Sequence, residues 1–296
     1  MVTKKYIISV CCALCFLSGC SKIEPTGILI GNTNVDDRVK QSYYFYSQEE
    51  NKKSTFEIDT SGKEYSFLVI ADSHTTTDMK RLTEAFDETL KGGHLFCAHL
   101  GDLAETQPEY YADVEDLVTE YKEKGLIFYP VVGNHDITRN GWALFNDIFG
   151  TSTYFVEVYV EGREDLADLF VFLDTANGTL GKRQMQDILP IVEEIRQEYR
   201  HCFVFTHNPF FRPRSNAYSS NFPREELYYL FDFFAENKID YVFSGHIHAH
   251  GENTFRGVQY ITLDAFSERN NPIRGEIAKI TCKANGDIQY ELIYVP

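Results

Sequence analysis

A chain of 296 residues is long enough for one large domain or two small ones, and its 23 Phe and 19 Tyr give ample material for a buried core. The formal net charge of -16 argues against nonspecific association with nucleic acid or an anionic membrane surface. It does not argue against a small phosphate substrate, because bound cations reverse a local field.

Residues 1–19 read as a targeting segment rather than as part of a fold. Lys4 and Lys5 form a positive start, and Tyr6 to Phe16 is an apolar run of eleven residues, too short to span a bilayer comfortably. Leu17-Ser18-Gly19-Cys20 resembles a bacterial lipobox, which implies cleavage before Cys20 and lipidation of its thiol. The expected location is therefore the bacterial cell envelope, lipid-anchored and extracytoplasmic, either periplasmic or surface-exposed. Lys4 and Lys5 are the only charges of the leader, so the chain beyond it carries -18. Cys97, Cys202 and Cys282 sit in apolar runs without metal-ligand spacing and are expected to be small buried hydrophobes.

Residues 20–63 are polar and irregular and read as a tether, with Tyr43 to Tyr46 and Thr55 to Ile58 as candidate added strands. From Glu64 to the end no linker intervenes, so residues 64–296 are taken as one domain. Phe67 to Ala71 is a short apolar run, as a strand buried on both faces would be. Met79, Leu82, Phe86 and Leu90 recur at helical spacing, and Leu95 to Leu100 is the next strand. Residues 108–124 form a charged amphipathic helix, followed by a strand at Leu126 to Val132. Later strands are Phe155–Val160, Leu169–Leu173, Cys202–Phe205 and Tyr241–Phe243. Pro190 interrupts a helical pattern and is expected to kink it or to open a second helix. After residue 255 short strands with turns at Arg256-Gly257 and Asn285-Gly286 take over. Alternating strands and helices followed by antiparallel strands predict a layered α/β sandwich.

The polar residues of interest follow the apolar strands directly, where α/β sheets place ligand sites. Five strand ends carry Asp72-Ser73-His74, Gly101-Asp102, Gly133-Asn134-His135-Asp136, Thr206-His207-Asn208 and Gly245-His246-Ile247-His248. A single strand-end histidine is ordinarily a structural residue. Four His, two Asp and one Asn at five strand ends form a donor set suited to first-row divalent or trivalent metals rather than to calcium. His99 reads as a support within the sheet, and Trp142 as a packing residue of a short helix. Four further residues are candidate substrate contacts: Arg139 after the Asn-His-Asp block, Arg212 and Arg214 in the aromatic loop after His207, and His250 beyond His248.

The order D-x-H, G-D, G-N-H-D, H, G-H-x-H over residues 64 to about 266 resembles the signature of the calcineurin-like metallophosphoesterases. The resemblance implies a four-layer α-β-β-α sandwich with two mixed β-sheets. It implies one metal held by Asp72, His74, Asp102 and His248 and a second by Asp102, Asn134, His207 and His246, with Asp102 bridging. The metals are expected to be Mn, Fe, Zn or Co. It further implies hydrolysis of a small phosphate ester, diester or monoester, by a metal-bridging hydroxide. His135 would serve the leaving group, oriented by Asp136. Gly-Asp-Leu-Ala-Glu at 101–105 resembles the branch of bacterial cyclic-nucleotide phosphodiesterases and purple acid phosphatase relatives. The purple enzymes place tyrosine where Glu105 stands, so a tyrosinate-ligated iron is not expected. A competing reading, a non-catalytic metal-containing envelope lipoprotein, fits poorly with a complete donor set. A nuclease fits poorly with the charge of the chain, and no nucleic-acid partner is expected.

Overall fold

The computed structural model describes residues 34–47, 54–58, 64–160, 163–213, 215 and 217–296. The leader, Cys20 and Arg214 lie outside the described residues. Among the described residues, no helix is long and apolar enough to cross a membrane.

Two mixed sheets form the middle of the molecule. The five-stranded sheet has the order β12 (Ile288–Val295), β11 (Gly275–Cys282), β2 (Tyr65–Ile70), β3 (Cys97–His99) and β4 (Phe128–Pro130). The seven-stranded sheet has the order β1 (Ser54–Ile58), β5 (Tyr154–Val160), β6 (Arg163–Phe172), β7 (His201–Phe205), β8 (Tyr241–Ser244), β10 (Val258–Thr262) and β9 (Gly251–Phe255). β2, β3 and β4 run parallel, as do β6, β7 and β8. Their carboxyl ends therefore share one edge of each sheet.

Three apolar cores separate four layers. Between the sheets lie Phe67, Val69, Phe96, Phe170, Phe203 and Phe205, with Phe170 and Phe203 stacked at 5.1 Å. The opposite side chains of the same strands, Leu68, Ile70 and Cys97, pack outward on the helices Lys80–Lys91, Pro108–Glu123 and Gly141–Phe149. On the far side, Leu169, Val171, Cys202 and Val204 meet the helices Leu189–Ile195 and Arg224–Glu236. Strands buried on both faces lose the polar alternation, which is why they read as continuous apolar runs. Each fully buried Phe or Leu contributes about 1.5–3 kcal/mol. Cys97, Cys202 and Cys282 are free and buried.

The N-terminal segment departs from the sequence reading. Tyr43 to Tyr46 lie in a helix, Val35–Ser47, rather than a strand. Local signals explain this. Asn34 Oδ1 accepts the Asp36 N–H at 2.8 Å, Asp36 and Asp37 stand in the first turn, and Val35, Arg38, Val39 and Ser42 recur at helical spacing as buried positions. Arg38 Nε and Nη2 each lie 2.8 Å from an Asp174 carboxylate oxygen, with both side chains fully buried. Ser54–Ile58 pairs in parallel with β5 at the sheet edge. Residues 34–47 and 54–58 thus belong to the domain rather than to a tether. Pro190 opens the helix Leu189–Ile195 behind a π-helical turn at Gln184–Ile188.

Candidate metal centre

The five polar blocks meet where the two sheets open. The ladder between β2 and β3 continues past the strands: Asp72 N–H donates to Gly101 O at 3.1 Å and His74 N–H to Asp102 O at 2.9 Å. From the other sheet, Gly245 N–H donates to His207 O at 3.0 Å. The two halves are joined by the His246 N–H, which donates to Asp72 Oδ2 at 2.8 Å. Close backbone approach demands glycine here. A Cβ on Gly245 would sit 2.6 Å from Asp72 Oδ2, and one on Gly101 would sit 2.7 Å from His207 Nδ1.

All seven residues expected as ligands are brought together. On one side, His74 Nε2 is 3.1 Å from His248 Nε2, and His248 Nε2 is 3.9 Å from Asp72 Oδ1. On the other, His207 Nε2 is 2.9 Å from Asn134 Oδ1 and 3.1 Å from His246 Nδ1, and Asn134 Oδ1 is 2.7 Å from His246 Nδ1. Asp102 Oδ2 stands between them, 3.7 Å from His74 Nε2 and 3.5 Å from His207 Nε2. Its Oδ1 accepts the His135 N–H at 2.7 Å. One carboxylate oxygen, not two, therefore faces both groups.

The donor atoms fit cations on three observations. Asp72 Oδ1, which faces the cluster, is buried without a hydrogen-bond partner. His207 Nδ1 lies 2.8 Å from Leu100 O; a carbonyl only accepts, so Nδ1 carries the proton and Nε2 presents its lone pair to the cluster. The atoms that converge on each side are acceptors by nature, which a cation satisfies together. Ligand-atom groupings within 4.8 Å of one another comprise Asp72, His74 and His248, then His74, Asp102 and His135, then Asp102, His207 and His246.

Burial sets the protonation of the site. It raises the Asp72 and Asp102 carboxyls well above the ordinary range, and the neighbouring aspartates add to the rise. It lowers His74 to about 3 and His246 to about 4, and drives His207 well down. A cation held in the cluster would reverse this pressure on the carboxylates while needing the same neutral imidazoles.

The supports are equally well defined. His99 Nδ1 accepts the Gly101 N–H at 3.1 Å, its Nε2 meets Ser73 Oγ at 2.8 Å, and Ser73 donates to Leu103 O at 2.7 Å. Thr175 Oγ1 accepts the N–H groups of His207 and Asn208 at 3.0 and 2.9 Å.

The predicted His135–Asp136 pair is not formed. Asp136 is fully buried, and its oxygens accept the N–H groups of Asp102, Leu103 and Gly133 and the Tyr111 hydroxyl at 2.7–3.1 Å. It shapes from beneath the two turns that carry Asp102 and Asn134. The carboxylate facing the imidazole is Glu105, whose Oε2 is 3.4 Å from His135 Nδ1 and whose Oε1 is 3.5 Å from His74 Nδ1. The His135 ring is 40% exposed and sets its edge against His74 at 4.6 Å. Sequence reasoning met Glu105 only as a non-tyrosine; its place three residues after Asp102 was the available signal.

Of the candidate substrate contacts, His250 is taken by two carboxylates, Glu276 at 2.8 Å and Glu252 at 3.1 Å, which raise its pKa. Both ring nitrogens of this candidate therefore face carboxylates. Arg139 is exposed on the turn after His135, and Arg212 is exposed with Nη2 3.5 Å from Ser220 Oγ in its own loop. Trp142 packs against Phe145 and donates to Gln41 Oε1 at 2.6 Å.

Comparison with solved structures gives the same architecture. The GAP50 anchor of the inner membrane complex of Plasmodium matches with a TM-score of 0.56 and 16% identity over 78% of this chain and 84% of that one. A dimetal phosphatase from Danio rerio matches with a TM-score of 0.55 and 12% identity over 78% and 98%. No curated protein matches the chain in sequence. The sequence profile of the calcineurin-like phosphoesterases matches residues 65–250. That span is well over half of the chain and contains every block that converges at the sheet opening, so the chain belongs to the calcineurin-like phosphoesterases, hydrolases of phosphoester bonds.

Proposed function

We propose that the protein is a dinuclear metal-dependent hydrolase of small phosphate esters, tethered to the bacterial envelope through a lipidated Cys20. The observation that carries the catalytic part is the position of Asp102 Oδ2, 3.7 Å from His74 Nε2 and 3.5 Å from His207 Nε2, with further donors complete on either side. Asp72, His74, His248 and Asp102 would hold one cation, and Asp102, Asn134, His207 and His246 the other. Bound there, Mn, Fe, Zn or Co would supply Lewis-acid activation of water and neutralisation of phosphate charge.

The chain's own groups do the rest. Asn134 donates through a neutral amide oxygen, so that side of the site gains no extra negative charge against the substrate. His207 is held in one tautomer by Leu100 O. His135 stands exposed at the rim, where its Nε2–H can reach the departing oxygen of the ester. Glu105, with Oε2 3.4 Å from Nδ1, orients that ring. The lipobox-like Leu17-Ser18-Gly19-Cys20 supports the anchor.

The reading is tested by reconstituting the protein with Mn, Fe, Zn or Co and assaying bis-p-nitrophenyl phosphate and p-nitrophenyl phosphate. His135→Ala should retain its metals and lose on the order of 10²–10⁴ in turnover. Full activity in that variant would remove His135 from the mechanism.

A further inference from the structure

One cation at the mouth of the site has no part in the arrangement above. Arg269 lies in the loop after β10, and its Nη1 is 3.6 Å from Glu105 Oε1, the oxygen that also faces His74 Nδ1. Its side chain is 78% exposed. The loop that carries it is built rather than loose. Phe266 N–H donates to Ala71 O at 2.8 Å and Ser267 N–H to Asp72 O at 3.1 Å, so the loop hangs on the backbone of a ligand residue. Arg81, only 5% exposed, reaches both ends of the loop: Nη1 is 3.3 Å from Phe266 O and 2.7 Å from Asn271 O. Ser267 O closes the turn by accepting the N–H groups of Asn270 and Asn271 at 3.2 and 2.8 Å. A buried arginine committed to main-chain carbonyls thus presents a second arginine on the side where His74, His135 and Glu105 meet.

We propose that Arg269 is a substrate-binding residue that grips the phosphate of the ester, leaving Glu105 to do so. The inference rests on the phosphoester reading of the same site. Its contact with Glu105 is long and solvent-exposed, and such pairs are weak enough to exchange. An incoming phosphate offers the guanidinium fork two oxygens in a plane, a stronger partner than a single carboxylate oxygen at 3.6 Å. Glu105 keeps its place beside His135 through its other oxygen, Oε2. In a chain of net charge -16, a cation fixed at the opening gives an anionic substrate a local attraction that the whole molecule denies it.

Inorganic phosphate titrated calorimetrically into the Mn-loaded protein tests this without relying on turnover. Arg269→Ala should weaken phosphate binding about tenfold, the loss expected for one charge-assisted contact. Mn content and melting temperature should stay unchanged, because the side chain is exposed. Arg269→Lys should restore only part of the affinity, since an ammonium lacks the fork. KM for p-nitrophenyl phosphate should rise by a similar factor in Arg269→Ala, with kcat less affected. Equal phosphate affinity in wild type and Arg269→Ala overturns the proposal, as does a wild-type protein that binds no phosphate. Phosphate binding that depends on Arg269 in a protein that hydrolyses no ester would uphold the proposal and remove the catalytic reading instead.

Discussion

Five of the seven residues around the cluster adopt left-handed backbone: Asp72, His74, Asp102, His246 and His248, with φ between 42° and 71°. Non-glycine residues in that region cost of order 1–3 kcal/mol each and persist where the surroundings over-determine them. Added to this are buried carboxyls whose ionised form is disfavoured. A folded-state carboxyl raised above its unfolded value of 3.8 weakens the metal-free fold as pH rises past 3.8. The histidines act in the opposite sense. His74 and His246, lowered from 6.5 to about 3 and about 4, weaken the fold as pH falls below 6.5. Cations relieve the carboxyls and require the neutral imidazoles, so the rise in melting temperature on loading Zn or Mn should be largest above 6.5 and fade as pH falls toward 4. Asp102→Asn should raise the stability of the metal-free protein by about 1–2 kcal/mol, roughly 2–4 °C for each kcal/mol, and abolish the metal-induced rise. Scanning fluorimetry over a pH series, with and without metal, checks both outcomes.

The same scale shows what was legible in the residues. The convergence of the seven residues was readable because their blocks follow apolar runs that end abruptly in Asp, His or a Gly-led pair. The partner of His135 was not. His135 and Asp136 are neighbours in sequence, but the turn after β4 sends one side chain to the rim and the other into the backbone amides beneath. Adjacency suggested a pair where the local backbone forbids it. Arg269 had no motif at all, since only the loop's hydrogen bonds bring it to the site.

At the scale of elements, the helix Val35–Ser47 is clasped by groups far away in sequence. Arg38 meets Asp174 and Asn177, and Ser42 Oγ accepts the Ser152 N–H at 2.8 Å. Asp174 immediately precedes Thr175, whose hydroxyl holds the His207 backbone. Removing one partner of a fully buried ion pair leaves the other charge uncompensated. Arg38→Met should therefore cost roughly 3–5 kcal/mol, and Arg38→Met with Asp174→Leu should recover part of that loss. Urea unfolding of the three proteins measures the difference; equal stability of the single variant and wild type would show that the helix is not anchored by the pair. The aromatic run at Tyr43 to Tyr46 has strand propensity, which the Asn34 cap and the spacing of Val35, Arg38, Val39 and Ser42 override. Tertiary docking onto Asp174 was invisible along the sequence.

For the whole molecule, strands buried on both faces made the layered α/β class readable, because their runs are apolar without alternation. The division into seven and five strands was not readable, since it depends on pairings such as β11 against β2 and β1 against β5, which join distant segments. The site exists only because both sheets deliver their strand ends to one opening, β2, β3 and β4 from one and β7 and β8 from the other. The proposed anchor belongs to this scale as well. Cys20→Ser should shift the protein from the membrane fraction to the soluble fraction and remove incorporated palmitate; an unchanged membrane fraction in that variant would end the lipoprotein proposal. The central claim is that a bridging Asp102 unites two cation sites into one hydrolytic centre. The most direct measurement is metal content and phosphoester hydrolysis on the same reconstituted sample, for wild type and Asp102→Asn. The account predicts two metal ions per chain with turnover in wild type, and loss of both in the variant. A wild-type protein that binds its metals and hydrolyses neither phosphomonoester nor phosphodiester under any of Mn, Fe, Zn or Co would contradict it.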